Sequence, residues 1–202
     1  MNQESITMKS VKDKIFARIT KKGPGWIFSA QDFLLVFQRY EIDTSLKTLA
    51  DQGVIRKICR GIYDFPAYNT LLQKNAAPDL YKIAKKFADK YRWTIYPSGN
   101  TALNYFGLST QIPAKLEFIS NGPGKDIETQ FGTISFRHSA LRETSFRHIE
   151  SGLLVQALRE IGQQNLTPEI ISQIKGKFDE KFLQKIRRDI ISAANWIQQT
   201  IR

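Results

Sequence analysis

The sequence predicts an α+β protein: helices closed by a short basic hairpin at the N-terminal end, then a mixed α/β segment that finishes in helices. Three observations predict it. Apolar residues recur at helical spacing over 6–20 and again from 43 to 53. "VIRKICRGIYDFP" (54–66) reads as a hairpin turning at Gly61. Short β-rich runs separated by glycine turns fill 93–139, and helical periodicity returns from Glu150. With 202 residues, 42% hydrophobic and 24% charged, the chain can bury a core in one large or two small domains.

Taken in order, Ile6, Val11, Ile15, Phe16, Ala17 and Ile19 stripe a first helix, with Lys9, Lys12, Lys14 and Arg18 between them. "KKGPG" stops it, because Pro24 and its flanking glycines cannot continue a helix. Ser29, three residues before Asp32, has the form of a capping box and predicts a second helix in which Phe33, Leu34, Val36 and Phe37 are buried. "RYEI" reads as a short turn, and Asp43 as the N-cap of a third helix that ends at Gly53. At about 100° per residue, Leu46, Leu49 and Ala50 share the inner face of that helix. Thr44, Thr48 and Asp51 then lie opposite, flanked by Ser45, Lys47 and Gln52.

Helix, helix, short turn, helix and basic hairpin is the order of a winged helix-turn-helix, here expected over 1–70. Arg56, Lys57 and Arg60 fall where a wing lies against a DNA backbone. Thr44, Ser45, Lys47 and Thr48 fall where the third helix meets the base edges of double-stranded DNA. The charge agrees: +11 over the chain and a pI near 9.8, with 12 basic against 7 acidic residues in 1–75. A single cysteine, Cys59, excludes an internal disulfide and fits a reducing compartment. The polar N-terminus and the lack of a long apolar run lead us to expect a cytoplasmic protein.

Residues 76–202 are expected to form an α+β domain. A helix from Pro78 to about Tyr91 precedes a strand at "WTIYP", a short helix from Ser98 to Gly107, a strand at "AKLEFIS" and a hairpin at "IETQFGTISFRHS". Thr167–Pro168 opens a further helix, and Leu183, Ile186, Ile190, Ala193, Ile197 and Ile201 stripe a last one as core. "NGPGK" lacks the earlier glycine and the Ser or Thr of a phosphate-binding loop. His138 and His148 have no carboxylate or cysteine at ligand spacing, so no metal, cofactor or catalytic residue is expected. The one enzymatic pattern is Asp126-x-Glu128, which would hold Mg²⁺ for nucleotide transfer; it follows a flexible turn and has no third carboxylate.

"GWIFSAQDF", "LKTLADQGVIRKICRGIYDFP" and "YPSGNTALNYFGLSTQIPAKLEFISNGPGK" with the following "ISFRHS" resemble the AbiEi family of antitoxins from abortive-infection type IV toxin–antitoxin systems. The likeness covers about residues 8–140. It implies a winged helix that binds operator DNA and represses its own operon, with a second domain that supports repression and counteracts a nucleotidyltransferase-like toxin. By position it puts the reading surface on Thr44, Ser45, Lys47 and Thr48 and the wing on Arg56, Lys57 and Arg60. Two alternatives stand beside it: a winged-helix regulator whose second domain senses a ligand or only packs, and a nucleotidyltransferase-like enzyme with an accessory DNA-binding domain.

Overall fold

The computed structural model describes residues 10–111 and 113–202; Ile6 and Lys9 of the first helical stripe lie outside the described residues. The chain is mixed α+β and divides into two units. The first comprises the described residues up to Lys90 together with Thr129–Phe131, and the second comprises Tyr91–Glu128 and Gly132–Arg202. The composition reading drew the boundary at 70–76. The helix after it belongs to the first unit because Lys86 pairs with Asp32 at 2.9 Å and Gln31 donates to the Lys90 carbonyl at 3.1 Å.

In the first unit, α1 (Val11–Lys22) opens on a capping box: the Asp13 N–H donates to Ser10 Oγ at 3.2 Å, and the Ser10 N–H to Asp13 Oδ2 at 3.1 Å. β1 (Ile27–Phe28) follows. The expected second helix is only a 3₁₀ turn, Ala30–Phe33, held by the Ser29 N–H on Asp32 Oδ2 at 2.8 Å. Because it ends at Phe33, Leu34, Leu35 and Val36 have no helical face to bury, and all three are exposed. α2 (Arg39–Asp51) begins four residues before the expected N-cap: the Glu41 carboxylate accepts the Gln38 N–H at 3.0 Å, so "RYEI" is the first helical turn. β2 (Arg56–Cys59) and β3 (Ile62–Asp64) form the expected hairpin, and β1 pairs with the free side of β3, in the order β1-β3-β2. Gly61 supplies the turn with a φ of +76°.

Ile15 and Ile19 of α1, Phe28, Phe33, and Ile42, Leu46 and Leu49 of α2 meet in one core with Ile55. The polar stretch after Pro66 contains an unexpected hairpin, β4 (Tyr68–Asn69) and β5 (Lys74–Asn75), before α3 (Leu80–Tyr91).

The second unit is built on a four-stranded sheet in the order β6-β7-β9-β8. β6 (Ile95–Pro97), α4 (Gly99–Tyr105), β7 (Lys115–Ser120), β8 (Lys125–Thr129) and β9 (Gly132–His138) fall where the sequence puts them. β7 and β9 run parallel, with Leu116 opposite Ile134 and Phe118 opposite Phe136. Helices α5 (Leu141–Thr144), α6 (Ile149–Ile161), α7 (Pro168–Lys175), α8 (Glu180–Asp189) and α9 (Asn195–Ile201) complete it. The predicted last helix is therefore two. Its whole stripe is buried as expected, but the chain breaks after α8, and Gln198 Nε2 caps the break by donating to the Ile191 and Ala193 carbonyls at 2.9 Å each.

α6 approaches the sheet closely because Gly152 has no side chain where the Tyr96 ring lies. The Tyr96 hydroxyl donates to the Phe146 carbonyl at 2.7 Å, and burial pushes the phenol up to about 12 from 10.0. A Gly152→Ala protein should lose about 1–3 kcal/mol through overpacking against that ring, measured by urea unfolding. A raised phenol pKa stabilises the fold below the unfolded value and loses that contribution as pH rises from 10.0 through about 12. Unfolding of Tyr96→Phe should show a shallower loss over that window, at a cost of about 1 kcal/mol at neutral pH from the unpaired carbonyl.

Candidate nucleic-acid interface

The rotation of α2 is set by Ile42, Leu46 and Leu49, which are 0%, 1% and 3% exposed. Ile42 lies outside the helix expected from Asp43; with Ile42 in place of the half-buried Ala50, the inward direction turns by roughly 25° towards Ser45. Ser45 moves to the inner side and is only 6% exposed, so it cannot face a ligand. Tyr40, Thr44, Lys47 and Asp51 form the outward face. Thr48 is half-buried, and its hydroxyl donates back to the Thr44 carbonyl at 2.9 Å, which leaves it a flank position. Arg39 at the start of α2 pairs with Asp43 at 2.7 Å across an exposed turn, a contact worth about 0–1 kcal/mol that an approaching phosphate can displace.

The three cations of the hairpin separate into two kinds. Arg56 is not a surface group: its Nε donates to Asp64 Oδ1 at 3.0 Å and its Nη2 to Asp64 Oδ2 at 2.6 Å. The same Nη2 reaches the Ala76 carbonyl at 3.0 Å, and the guanidinium lies 4.6 Å from the Phe131 ring centre. The Asp64 side chain is 2% exposed, so Arg56 is the internal partner of a buried carboxylate and leaves the predicted wing contact. Lys57 and Arg60 remain exposed, Lys57 on β2 and Arg60 at the turn. Tyr63, opposite Lys57 on β3, has its phenol raised by burial and by the nearby Asp43 carboxylate, so it stays neutral at physiological pH.

Sequence reasoning missed Tyr40 and the exposed Leu34, Leu35 and Val36 beside it. Their signal was misleading, since an apolar run after an N-cap reads as core. In the second unit, Asp126 of the enzymatic pattern is engaged by Lys115 Nζ and by the Ser135 hydroxyl, each at 2.6 Å, and these bonds hold its carboxyl below the usual range. His138 Nδ1 lies 2.9 Å from the Gly122 carbonyl. Among the described residues, no three His, Cys, Asp or Glu side chains gather to hold a metal ion. Among them, too, no helix is long and apolar enough to cross a membrane.

These features define a mixed α+β chain with a helix-and-hairpin surface bearing exposed cations. The chain belongs to a family of unknown function, DUF6088, whose model matches residues 14–188. A crystal structure of the RV2827C protein from Mycobacterium tuberculosis is similar at a TM-score of 0.48 and 12% identity, over 93% of this chain and 73% of that one. No curated protein matches.

Replacing Arg56 by Ala should destabilise the first unit by about 3–5 kcal/mol, because it strands a buried carboxylate. Lys57→Ala should stay within about 0.5 kcal/mol of the parent. Chemical denaturation of the two variants side by side checks this, and equal midpoints would contradict the internal role of Arg56.

Proposed function

We propose that the first unit is a winged helix-turn-helix that binds operator DNA, and that the chain is a cytoplasmic, non-catalytic repressor and antitoxin of a type IV toxin–antitoxin system. On this reading it represses its own operon and counteracts a nucleotidyltransferase-like toxin. The observation that carries the DNA-binding half is one exposed helix face, Tyr40, Thr44 and Lys47, followed by a hairpin with exposed Lys57 and Arg60. α2 offers side chains suited to base edges: Lys47 to guanine, the Thr44 hydroxyl to either partner of a pair, and the Tyr40 ring to a thymine methyl. Lys57 and Arg60 contact phosphates, which fix register without reading sequence. Ser45 and Arg56 are not part of the surface.

The antitoxin half rests on the resemblance carried by residues 25–33, 46–66 and 96–139. Asp43 and Asp51 on or beside the reading face temper its attraction for phosphate, so we expect two copies on an inverted repeat to reach useful affinity. A regulator whose second unit senses a ligand is the second reading, favoured by a cationic cleft beside α6.

Mobility shifts with the DNA upstream of the protein's own gene test the first half. Lys57→Ala or Arg60→Ala should weaken binding to every sequence and reduce the salt slope by about one per lost phosphate contact. Tyr40→Ala or Lys47→Ala should instead cost about 1–3 kcal/mol on the preferred site and little on unrelated DNA. A preference that survives both α2 changes removes that helix as the reader. Co-expression with the product of the adjacent gene tests the second half: growth should be restored by the chain, and arrest despite its expression would refute the antitoxin role.

A further inference from the structure

One cleft in the second unit lies outside the residues proposed to contact DNA. It lies where the chain enters α6 and α8 ends, and it encloses about 630 Å³, the scale of small-molecule sites. Arg147, His148, Lys185, Arg188, Asp189 and Ile191 line it. At its base Asp189 accepts the N–H of Arg147 at 2.8 Å and that of His148 at 2.9 Å. Burial opposes the charge of Asp189, yet these two bonds, with the Ser151 hydroxyl and the charge of His148, together outweigh it and keep the carboxyl below its usual range. The carboxylate is thus committed to the start of α6.

Among the cations around it, Lys185 holds its Nζ 5.9 Å from the centre of the Phe182 ring. Arg147, Lys185 and Arg188 are all exposed, and none forms an ion pair among the described residues. Arg187 shows the contrast: it pairs with Glu180 at 2.6 Å and donates to the Ile201 carbonyl at 2.7 Å. Favourable interaction with the C-terminal dipole of α8 accounts for Arg188. It does not account for Arg147, which stands just before α6, the end of a helix where a cation is disfavoured. Three cations and one carboxylate line the cleft, an excess of two positive charges.

We propose that this cleft binds a small phosphate-bearing anion, with Arg147, Lys185 and Arg188 on the phosphate oxygens. A phosphate dianion matches the excess charge, and two guanidinium groups suit its geometry. Ile191, 68% exposed, offers an apolar wall to an organic substituent.

The test is an NMR titration of the full chain at fixed ionic strength, with inorganic phosphate and with a nucleoside 5′-monophosphate, sodium chloride being the control. Saturable shifts confined to residues 145–148 and 185–191 are expected. Arg147→Gln and Arg188→Gln should each weaken binding about tenfold, as for the loss of one charge-assisted hydrogen bond, with unchanged unfolding midpoints. Equal affinity for both anions assigns the site to phosphate alone, and tighter nucleotide binding adds the Ile191 wall; either supports the proposal. It is overturned by shifts that do not saturate, by equal binding in the two variants, or by saturation with a DNA duplex and neither small anion.

Discussion

The packing of Ile42, Leu46 and Leu49 against Ile15, Ile19, Phe28 and Phe33 is the constraint on which the first unit depends. A helix has one rotational freedom once its axis is set, and an apolar stripe of this width removes it. Burying these three side chains stabilises by roughly 1.5–3 kcal/mol each, far more than any gain from turning Ser45 outward. The rotation therefore follows from the core, and the outward set of Tyr40, Thr44 and Lys47 follows from the rotation. The neutral phenol of Tyr63 fits the same arrangement, since a phenolate there would face Asp43.

The hairpin obeys a second rule. Asp64 is 1% exposed, and an unpaired carboxylate at that depth would be expensive. Its position opposite Arg56 in the β2–β3 register puts a guanidinium within bidentate reach. The cross-strand pair uses one of three neighbouring cations for folding and fixes the strand that carries Lys57. The density of positive charge in "RKICR" thus has two causes, and only exposure separates them.

Most element positions were legible because local chemistry set them: the Ser10–Asp13 capping box, the Gly61 turn, Thr167–Pro168 and the apolar stripes. Errors arose where two signals competed. Asp43 is a good N-cap residue, but Glu41 satisfies the Gln38 N–H one turn earlier, and Asp43 pairs with Arg39 instead. The run Leu34–Leu35–Val36 has core composition but follows a turn too short to aim it inward. The break after α8 is invisible to periodicity, since the apolar spacing continues through it while Gln198 caps the freed carbonyls. Of the seven expected contact residues, Ser45 and Arg56 were lost through tertiary facts: one through a neighbouring core residue, the other through a partner eight positions along the chain.

The same division of labour recurs in both units. Arg56 and Lys57 are adjacent, and one closes on a buried carboxylate while the other stays in solvent. Arg187 and Arg188 are adjacent, and one ties α8 to the C-terminal carbonyls while the other lines an open cleft. Neighbours on a strand point to opposite faces and neighbours on a helix diverge by about 100°, so alternation of fates is built into the backbone. A net charge of +11 therefore overstates what the chain can present to an anion. What counts is the subset of cations that the fold has not already used, and the sequence does not mark that subset, because the acids that remove the others are brought close only by folding.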